Sequence, residues 1–596
     1  MRRGLAALLL GAVSLAGCAL TGRPAPDRVI RWSGEVRITQ DVVLPRGTHL
    51  VIEPGTRVLF AFRDDDGDGW GDVSIRIEGD LTARGSRERP IVFAPAEGPA
   101  RPGRWGEVRV DFGRIEMSRC VLEGSTRGIH AHFARGRITE SVFRRNVDGT
   151  RLGNSELVVA RNLFYGHSGK AYNAHRSRNR VEANRFHHNR AALFLFEADA
   201  GSEFVGNRLR DNGVSLRPGD FFTGTVITRG NDWGGPPPRP PEGTPGVRID
   251  ARPGEVAWAG PNGWPGWEGR WSAGLGGFVD APARPADGGV YAASWAGRVV
   301  RLDGLDGRVQ AEALLPDAVD AGPALGPGVL AVWSWDRGLY LLSRPDLTVL
   351  DRAESTPSPA DDHRQSAPAF AGSTLFAAGW DGRIRAFETR KGRLAPLWTF
   401  DGKGPFRAPL TVAAGLVLAP CQDGTLYALD PATGALHWSH RTEAPLLSRA
   451  AAGDPGVFVA DRSGTLHALD PVTGRERWTR DLGAPVWYGG PRLARGVLYL
   501  GDDRGRLHAV DPGSGRQLWQ VPLEGGVRSA PLVLDDRALV VTTLGGWAYL
   551  LDPATGMEWD AWPVGEGAQA DPAALGSTVF VGTREQGLLC LEVREP

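Results

Sequence analysis

The 596-residue sequence has no excess of charge of either sign and no long apolar run after its first residues, and each shortage excludes a class of protein. Its 69 basic and 69 acidic residues cancel, so the excess of Lys and Arg that general nucleic-acid binding requires is missing. No later segment is apolar over the length of a transmembrane helix. We therefore expect no nucleic-acid partner and no membrane-spanning domain.

Cysteine is also scarce. Beside Cys18 the chain has only Cys120, Cys421 and Cys590, an odd number at wide spacings. This pattern predicts neither a disulfide framework nor a cysteine-based zinc site.

Glycine and proline, by contrast, are abundant, at 81 and 44 residues. Such a composition without helical periodicity is typical of many short strands joined by tight turns, which predicts an all-β protein. A chain of this length exceeds what one hydrophobic core supports, so several domains are expected.

The N-terminal segment 1–18 has the features of a targeting signal. Arg2 and Arg3 precede an apolar stretch that is too short to span a bilayer, and Leu15-Ala16-Gly17-Cys18 follows. This ending resembles the bacterial lipoprotein lipobox, which implies cleavage and lipidation at Cys18; the alternative is an ordinary secretory signal with an incidental cysteine. In lipoprotein families an aspartate after the cysteine favours inner-membrane retention. Ala19 stands there instead, so the resemblance implies an outer-membrane lipoprotein on the periplasmic face or the cell surface.

A repeat of about 41 residues occupies the C-terminal half. Its marker is a glycine before an apolar strand, found at Gly297, Gly338, Gly382, Gly424, Gly464, Gly505, Gly546 and Gly587. Many copies continue into a Thr-Gly or Ser-Gly turn and a tryptophan, as at Trp438, Trp478, Trp519 and Trp559. A constant period near 41 predicts eight four-stranded propeller blades within residues 255–596.

Spacing also predicts how the ring closes. The last copy ends at Pro596, before its outer strand, whereas Trp271 precedes Gly297 by the same interval that separates Trp438 from Gly464. The segment around Trp271 is therefore expected to supply the missing strand and to clasp the ring.

The stretches 428–438 and 468–478, with their Ala-Leu-Asp-Pro-x-Thr-Gly core, resemble the pyrroloquinoline-quinone (PQQ) type propeller repeat. That superfamily contains quinoprotein alcohol dehydrogenases and the quinone-free propeller lipoprotein of the outer-membrane β-barrel assembly machinery. The dehydrogenases place an adjacent cysteine pair against the quinone. Here Cys421 and Cys590 are far apart in the sequence, which argues against PQQ binding and against a redox enzyme.

A shorter period of about 22 residues occupies residues 28–235. Apolar positions recur at Ile115, Ile138, Val159, Val181 and Phe204, and a polar column follows them at Ser118, Ser141, Asn162, Asn184 and Asn207. Coils that stack apolar on apolar and amide on amide resemble a right-handed parallel β-helix of the pectate-lyase type. The Pro-rich stretch 236–254 is predicted to be a semi-rigid linker between the two folds.

β-Helices of this type often degrade or bind polysaccharides, and degradation requires a cluster of catalytic side chains on one face. The most suggestive stretch is His167–Arg178, with Lys170, Tyr172 and His175, but no stacked carboxylates accompany it. A basic solvated face is the favoured interpretation, and His187 and His188 are expected to be turn residues. The sequence therefore predicts no catalytic residues.

One motif predicts a metal. Asp64, Asp66, Asp68 and Asp72 match the start of a D-x-D-x-D-G calcium loop, in which closely spaced carboxylates repel unless a cation joins them. Ile75 stands where the bidentate glutamate of such a loop belongs, so an exposed acidic loop is the alternative. The predicted calcium is structural.

Together these features predict a lipid-anchored, exported scaffold that presents β-propeller and β-helix surfaces to envelope proteins or glycans. Outer-membrane assembly is the role that the propeller resemblance implies. The alternatives are a β-helix protein that binds or degrades polysaccharide and, last, a PQQ-dependent dehydrogenase.

Overall fold

The computed structural model describes residues 28–594 except 200, 220–221, 225, 236–237, 239–246, 249–263, 358–365 and 536. The predicted signal segment with Cys18, and most of the predicted linker, lie outside the described residues. The strands of the described residues confirm the all-β prediction. Within that part of the chain, no helix has the length and apolarity to cross a membrane.

Residues 28–229, together with the two-residue strand Val247–Arg248, form the predicted β-helix, whose parallel strands build three faces. The first face contains Val108–Asp111, Ile129–His132, Thr150–Gly153, Lys170–His175, Ala191–Phe196 and Val214–Pro218. The second contains Glu35–Ile38, Arg57–Phe60, Ile91–Pro95, Cys120–Glu123, Val142–Arg144, Leu163–Tyr165, Arg185–His187 and Arg208–Arg210. The third contains Arg114–Ser118, Arg135–Thr139, Glu156–Ala160, Arg180–Glu182, Glu203–Val205, Val226–Arg229 and Val247–Arg248.

Longer strands begin the β-helix. Ile75–Arg84 pairs with both the first and the third face, so it joins them into one sheet. Val42–Ile52 and then Arg28–Trp32 continue the stack beyond it, and a short pair, Ala198–Asp199 with Thr223–Gly224, lies at the side.

The interior of the β-helix follows the 22-residue period. Phe143, Phe164 and Phe186 stack with ring centroids 4.8 and 4.7 Å apart. The amide nitrogen of Asn162 donates to the side-chain oxygen of Asn184 at 3.0 Å, and Asn184 does the same to Asn207. The predicted amide column is therefore confirmed, and it satisfies the polar groups of the turns along the axis.

Residues 266–594 form eight four-stranded antiparallel blades whose strands are named a to d from the centre outward. Blades 1 to 4 are Arg284–Ala286, Gly289–Ala293, Arg298–Asp303, Val309–Leu314; Ala324–Gly326, Val329–Trp333, Gly338–Ser343, Val349–Glu354; Ala369–Ala371, Thr374–Ala378, Arg383–Arg390, Arg393–Asp401; and Thr411–Ala413, Leu416–Pro420, Thr425–Leu429, Leu436–Arg441. Blades 5 to 8 are Ala451–Gly453, Gly456–Ala460, Thr465–Leu469, Glu476–Asp481; Arg492–Ala494, Val497–Gly501, Arg506–Val510, Gln517–Pro522; Leu532–Leu534, Ala538–Thr542, Trp547–Leu551, Glu558–Pro563; and Ala573–Leu575, Thr578–Gly582, Leu588–Arg594, Gly266–Ala273.

The ring closes as predicted. Gly266–Ala273 is the outer strand of blade 8 and pairs antiparallel with Leu588–Arg594, with Trp271 opposite Cys590. Because the first and last strands of the propeller share this sheet, the two ends of the ring are held together by strand pairing.

The repeat tryptophans join neighbouring blades. The indole N–H of Trp438 donates to the carbonyl of Pro471 at 2.9 Å, and that of Trp478 donates to Pro512 at 3.0 Å. The prediction that Trp559 continues this series is wrong. In blade 6, Trp519 of strand d pairs with Ala509, the fourth residue of strand c. In blade 7 the fourth residue of strand c is Leu550, and its partner is Asp560. A carboxylate therefore occupies the tryptophan position of blade 7.

Candidate functional site

One end of the propeller carries the turns between strands b and c together with the connections from strand d to the next strand a. Since consecutive strands in a blade are antiparallel, these segments meet at the same end of every blade. We call this end the connection face.

An aromatic cluster lies on the connection face at blades 1 and 2. The ring of Trp295 lies 5.3 Å from that of Phe278 and 5.0 Å from that of Trp335. The guanidinium of Arg584 stacks over Phe278 at 5.1 Å, and Phe278 remains 40% exposed. Partly exposed aromatic rings paired with arginine are the side chains most enriched at the centres of protein interfaces.

The same pairing recurs on the other side of the ring. Arg462 and Arg528 stack over Trp487, at 4.4 and 5.0 Å from its ring centroid. Arg407 lies 5.0 Å from the ring of Trp380 in blade 3. Cation–π pairs between an arginine and an aromatic ring therefore recur around the connection face.

Three arginines lie near the channel at the connection face. Arg284 and Arg492 begin strands a of blades 1 and 6, and Arg449 precedes strand a of blade 5. Arg449 forms an ion pair with Asp571 at 2.5 Å. Burial, and then the charge of Arg449, lower the pKa of Arg284 to about 10. Burial, and then Arg449, also lower the pKa of Arg492, and the charge of Asp571 opposes the shift of both Arg284 and Arg492.

The second face of the β-helix packs against the propeller. Its outward-pointing residues belong to the same buried apolar cluster as Tyr499, Leu539 and Leu551 of blades 6 and 7; they are Leu59, Val92, Ala94, Val121, Val142 and Leu163. This contact buries both sides of the middle strands of that face, so that all residues of Val142–Arg144 and Leu163–Tyr165 are buried. The two domains are thus joined directly, and we call this contact the junction.

Buried charges lie at the centre of the junction. Glu558 of blade 7 accepts hydrogen bonds from Arg145 at 2.5 and 2.7 Å and from the hydroxyl of Tyr165, and it forms a 3.4 Å ion pair with Arg144. Burial alone raises the pKa of this carboxyl, but Arg144 and Arg145 outweigh burial and lower it. Glu558 therefore stays ionised inside the junction.

Asp560 forms the second ionic contact of the junction. Its carboxylate lies 3.1 Å from Arg185 and 3.2 Å from the ring nitrogen of His187, and it accepts the backbone N–H of Trp267 at 2.8 Å. Burial opposes ionisation of Asp560, and His187 and Arg185 outweigh it to lower its pKa. The prediction that His187 is a turn residue is wrong, because it ends a strand of the second face and faces the propeller.

A cavity of about 440 Å³ adjoins this contact. Its lining includes Arg208, Arg210, Glu268, Trp271 and Trp562. Arg208 pairs with Glu268 at 2.6 Å, so the charges in its wall are largely compensated within the protein.

The first and third faces of the β-helix both present polar side chains to solvent, among them Lys170 of the first and Arg137 of the third. A groove of about 870 Å³ is lined by Glu78, Asp80, Asp111 and Phe112. Asp111 is buried and bonded by Arg76 and Arg109, each at 2.9 Å. Beside the groove, the exposed rings of Phe112 and Phe133 stack in parallel at 5.2 Å.

The stretch His167–Arg178 does not form one site. His167 and Tyr172 are buried, the latter in the apolar interior. Lys170 lies 4.6 Å from the ring of Phe194, and Arg176 pairs with Glu197 at 2.7 Å. Lys170 and Arg176 thus each contact a neighbouring side chain of the β-helix and do not converge on a common site.

The acidic loop brings three of the four predicted ligands together. One oxygen each of Asp64, Asp66 and Asp72 lies within 4.8 Å of the others. Asp64 also accepts the backbone N–H groups of Gly67 and Gly69, at 2.7 and 2.9 Å. Asp68 is outside that group and accepts the N–H of Trp70 at 2.8 Å. The oxygen donors suit calcium, and ligation by Asp68 requires its side chain to turn inward.

Cys421 and Cys590 lie in blades 4 and 8, and both are buried free thiols. Burial raises the pKa of each thiol to about 12. They do not form the adjacent pair that characterises the quinone site of the dehydrogenases.

Two family models match the chain. Residues 362–485 and 462–594 match the family described as outer membrane protein assembly factor BamB, and residues 106–232 match the right handed beta helix region. Neither description names an enzyme. No curated protein matches the chain significantly.

Several solved structures resemble the chain over about half its length, at low identity. The computationally designed Ika8 protein is 17% identical, with a TM-score of 0.49 over 54% of this chain and 99% of that one. BamB from Moraxella catarrhalis is 18% identical, with a TM-score of 0.47 over 55% and 99%. The quinohemoprotein alcohol dehydrogenase from Comamonas testosteroni is 16% identical, with a TM-score of 0.49 over 55% and 77%.

Proposed function

We propose that this chain is a protein-binding scaffold of the bacterial cell envelope whose connection face is the surface that binds the partner. The match of residues 362–594 to the assembly-factor family supports a role in outer-membrane assembly. The observation that carries the choice of surface is the cluster of exposed Phe278 with half-buried Trp295 and Trp335, with Arg584 over Phe278. Such clusters supply most of the binding energy where proteins meet.

The β-helix serves this scaffold as an arm fixed in direction. Its second face is buried in the junction, which fixes the distance and the orientation between the first face and the connection face. A partner that contacts both meets a preorganised surface, which lowers the entropic cost of binding.

Site-specific photocrosslinking tests the choice of surface. A photoreactive amino acid replaces Phe278 on the connection face or, as the control, Leu305, which is 89% exposed in the c–d turn at the opposite end of blade 1. In intact envelopes we expect a discrete crosslinked partner from position 278 and none from 305. Equal crosslinking from both positions, or none from 278, contradicts the proposal.

We further propose that the chain is lipidated at Cys18 and held at the outer membrane. The arginine pair and the Leu-Ala-Gly-Cys ending support this proposal. Detergent-phase partitioning of the full-length protein is expected to disappear in Cys18→Ala. Partitioning that persists in this variant contradicts lipidation.

A glycan-binding role of the first β-helix face is the second candidate. The stacked Phe112 and Phe133 beside a groove with Glu78 and Asp80 favour it, since exposed aromatic faces with carboxylates suit a sugar ring and its hydroxyls. Sedimentation with purified peptidoglycan tests it. Retention that falls in Phe112→Ala/Phe133→Ala supports this role, and retention unchanged by the double substitution contradicts it.

We also propose that Asp64, Asp66, Asp68 and Asp72 bind one structural calcium ion. The convergence of three of these carboxylates supports the proposal, because without a cation they repel one another.

A further inference from the structure

The gaps between the outer strands of blades 4 to 7 share one arrangement. The first residue of strand d is Glu476, Gln517 and Glu558 in blades 5, 6 and 7. The third residue of strand c stands beside it, as His467, His508 and Tyr549. These six side chains therefore define one position repeated in three consecutive blades, which we call the gap position.

A guanidinium group lies at the gap position of blades 6 and 7. In blade 6, Arg480 of the preceding blade donates to the side-chain oxygen of Gln517 at 2.7 Å. In blade 7, Arg145 reaches in from the β-helix to Glu558 at 2.5 and 2.7 Å and lies 5.7 Å from the ring of Tyr549. Both gaps thus contain a cation supplied by the protein.

At the gap position of blade 5, the residue supplied by the preceding blade is a histidine and not an arginine. His440 is the fifth residue of strand d in blade 4, the place that Arg480 has in blade 5. The oxygen of Glu476 lies 2.9 Å from Nδ1 of His467 and 3.6 Å from Nε2 of His440. All three ligand atoms lie within 4.8 Å of one another, and Nε2 of His440 is buried with no hydrogen-bond partner among the described residues.

The other nitrogen of His467 is held by a buried carboxylate. Nε2 lies 3.3 Å from Asp461, which also accepts the backbone N–H groups of Ser463 and Thr465. A proton on Nε2 leaves the lone pair of Nδ1 facing the Glu476 carboxylate, and two such groups repel unless a proton or a metal ion lies between them. A proton between His467 and Glu476 removes their repulsion but leaves Nε2 of His440 without a partner among the described residues. A metal ion removes the repulsion and also provides a partner for His440.

We propose that His440, His467 and Glu476 bind a divalent cation of the zinc class between blades 4 and 5. Two imidazoles and a carboxylate are a donor set that selects such metals, and a carboxylate behind a ligating histidine is their usual support. In a tetrahedral zinc site with bonds near 2 Å, the ligand atoms lie about 3.3 Å apart. The distances of 2.9 and 3.6 Å from Glu476 to the two histidines lie on either side of this value. The side chain of Glu476 is 41% exposed, so water completes the coordination.

Zinc titration of the full-length chain, purified without a polyhistidine tag and stripped with chelator, tests this site. We expect one Zn²⁺ per chain, with affinity at least tenfold weaker in His467→Gln. The matched control is His508→Gln, the same substitution one blade further along, which should bind as the wild type does. Asp64→Asn/Asp66→Asn should also leave zinc binding unchanged, because those oxygen ligands belong to the acidic loop.

A second variant keeps the test valid if a histidine substitution impairs folding. His440→Arg/Glu476→Gln copies into this gap the Arg–Gln pair of blade 6. It should fold, lose the bound Zn²⁺ and lose the rise in unfolding midpoint that Zn²⁺ causes in the wild type. Zinc binding that survives this exchange, or a wild type that binds no Zn²⁺, overturns the proposal.

Discussion

The guanidinium of Arg145 donates two hydrogen bonds to the carboxylate of Glu558, at 2.5 and 2.7 Å, although the residues lie 413 positions apart. This pair is buried between the β-helix and blade 7 and joins the two domains. Glu558 lies at the position that Gln517 and Glu476 have in the two blades before it. The β-helix is therefore attached through a position that the propeller already repeats.

Removal of the Glu558 carboxylate should weaken the junction strongly. Glu558→Ala leaves Arg145 buried without its main counter-charge, while Arg144 keeps its ion pair with Glu123. Leaving one buried charge of a pair uncompensated typically costs about 3–5 kcal/mol. We expect a lower midpoint for the first unfolding transition in denaturant, together with separate unfolding of the two domains. The control is Glu443→Ala, since Glu443 is exposed and its loss should change stability by less than about 0.5 kcal/mol. Equal effects of the two substitutions would disprove the importance of the buried pair.

Acid should weaken the same contact. The pKa values of Glu558 and Asp560 are lowered from 4.5 and 3.8 in the folded protein. Their stabilisation is therefore fully present above the unfolded values and is lost as the pH falls through the folded ones. We expect the unfolding midpoint of the wild type to fall steeply below about pH 4.5. In Glu558→Gln/Asp560→Asn the midpoint should be lower at neutral pH and should change less in acid, and a parallel decline of both proteins would contradict this assignment.

Docking of blades through tryptophan can be tested at two glycines. Both Gly474 and Gly415 have a positive φ, so alanine strains the backbone at either place. A Cβ at Gly474 would lie 2.6 Å from the ring of Trp438, whereas at Gly415 it meets nothing within 4 Å. We expect thermal unfolding to show a loss for Gly474→Ala that exceeds that of Gly415→Ala by about 1–3 kcal/mol. Similar losses would mean that the tryptophan contact is not tightly packed.

Terbium luminescence tests the acidic loop. Tb³⁺ replaces Ca²⁺ at oxygen sites and is excited by a nearby indole, here that of the exposed Trp70. We expect sensitised emission that calcium quenches and that Asp64→Asn/Asp66→Asn abolishes. Asp306→Asn, at an exposed aspartate in the c–d turn of blade 1, should leave it intact. Emission that survives the double substitution contradicts a site in this loop.

Repetition made much of the fold predictable. The 41-residue period sets each blade beside the next, and the 22-residue period stacks each coil on the next. The number of blades, the closure by Trp271 and the column from Asn162 to Asn207 therefore followed from spacing. Trp559 shows the limit of this reasoning. It lies one position closer to Gly546 than Trp519 lies to Gly505, and only strand pairing revealed that Asp560 takes the tryptophan position.

The connection face was less accessible to prediction. Trp295 and Trp335 recur in the b–c turns of blades 1 and 2. Nothing in their spacing shows that Arg584 of blade 8 lies over Trp295, or that Arg462 stacks on Trp487. Asp560 did offer a signal, because it is a carboxylate in an outer strand at the position where other blades have tryptophan. The partners of Glu558 and Asp560 nevertheless belong to another repeat with another period; they are Arg145 and Arg185.

The sequence by itself determined the two repeats, the number of blades and the stacking inside the β-helix, because each depends on contacts between residues one period apart. The tertiary structure alone decided how the two domains meet, which aromatics share the connection face and that His440 faces His467 and Glu476. The contacts between the domains join repeats of different length, and those within the propeller depend on side chains that differ from blade to blade. Their geometry depends on the closure of the ring and on the burial of the second β-helix face, and neither leaves a regular trace along the chain.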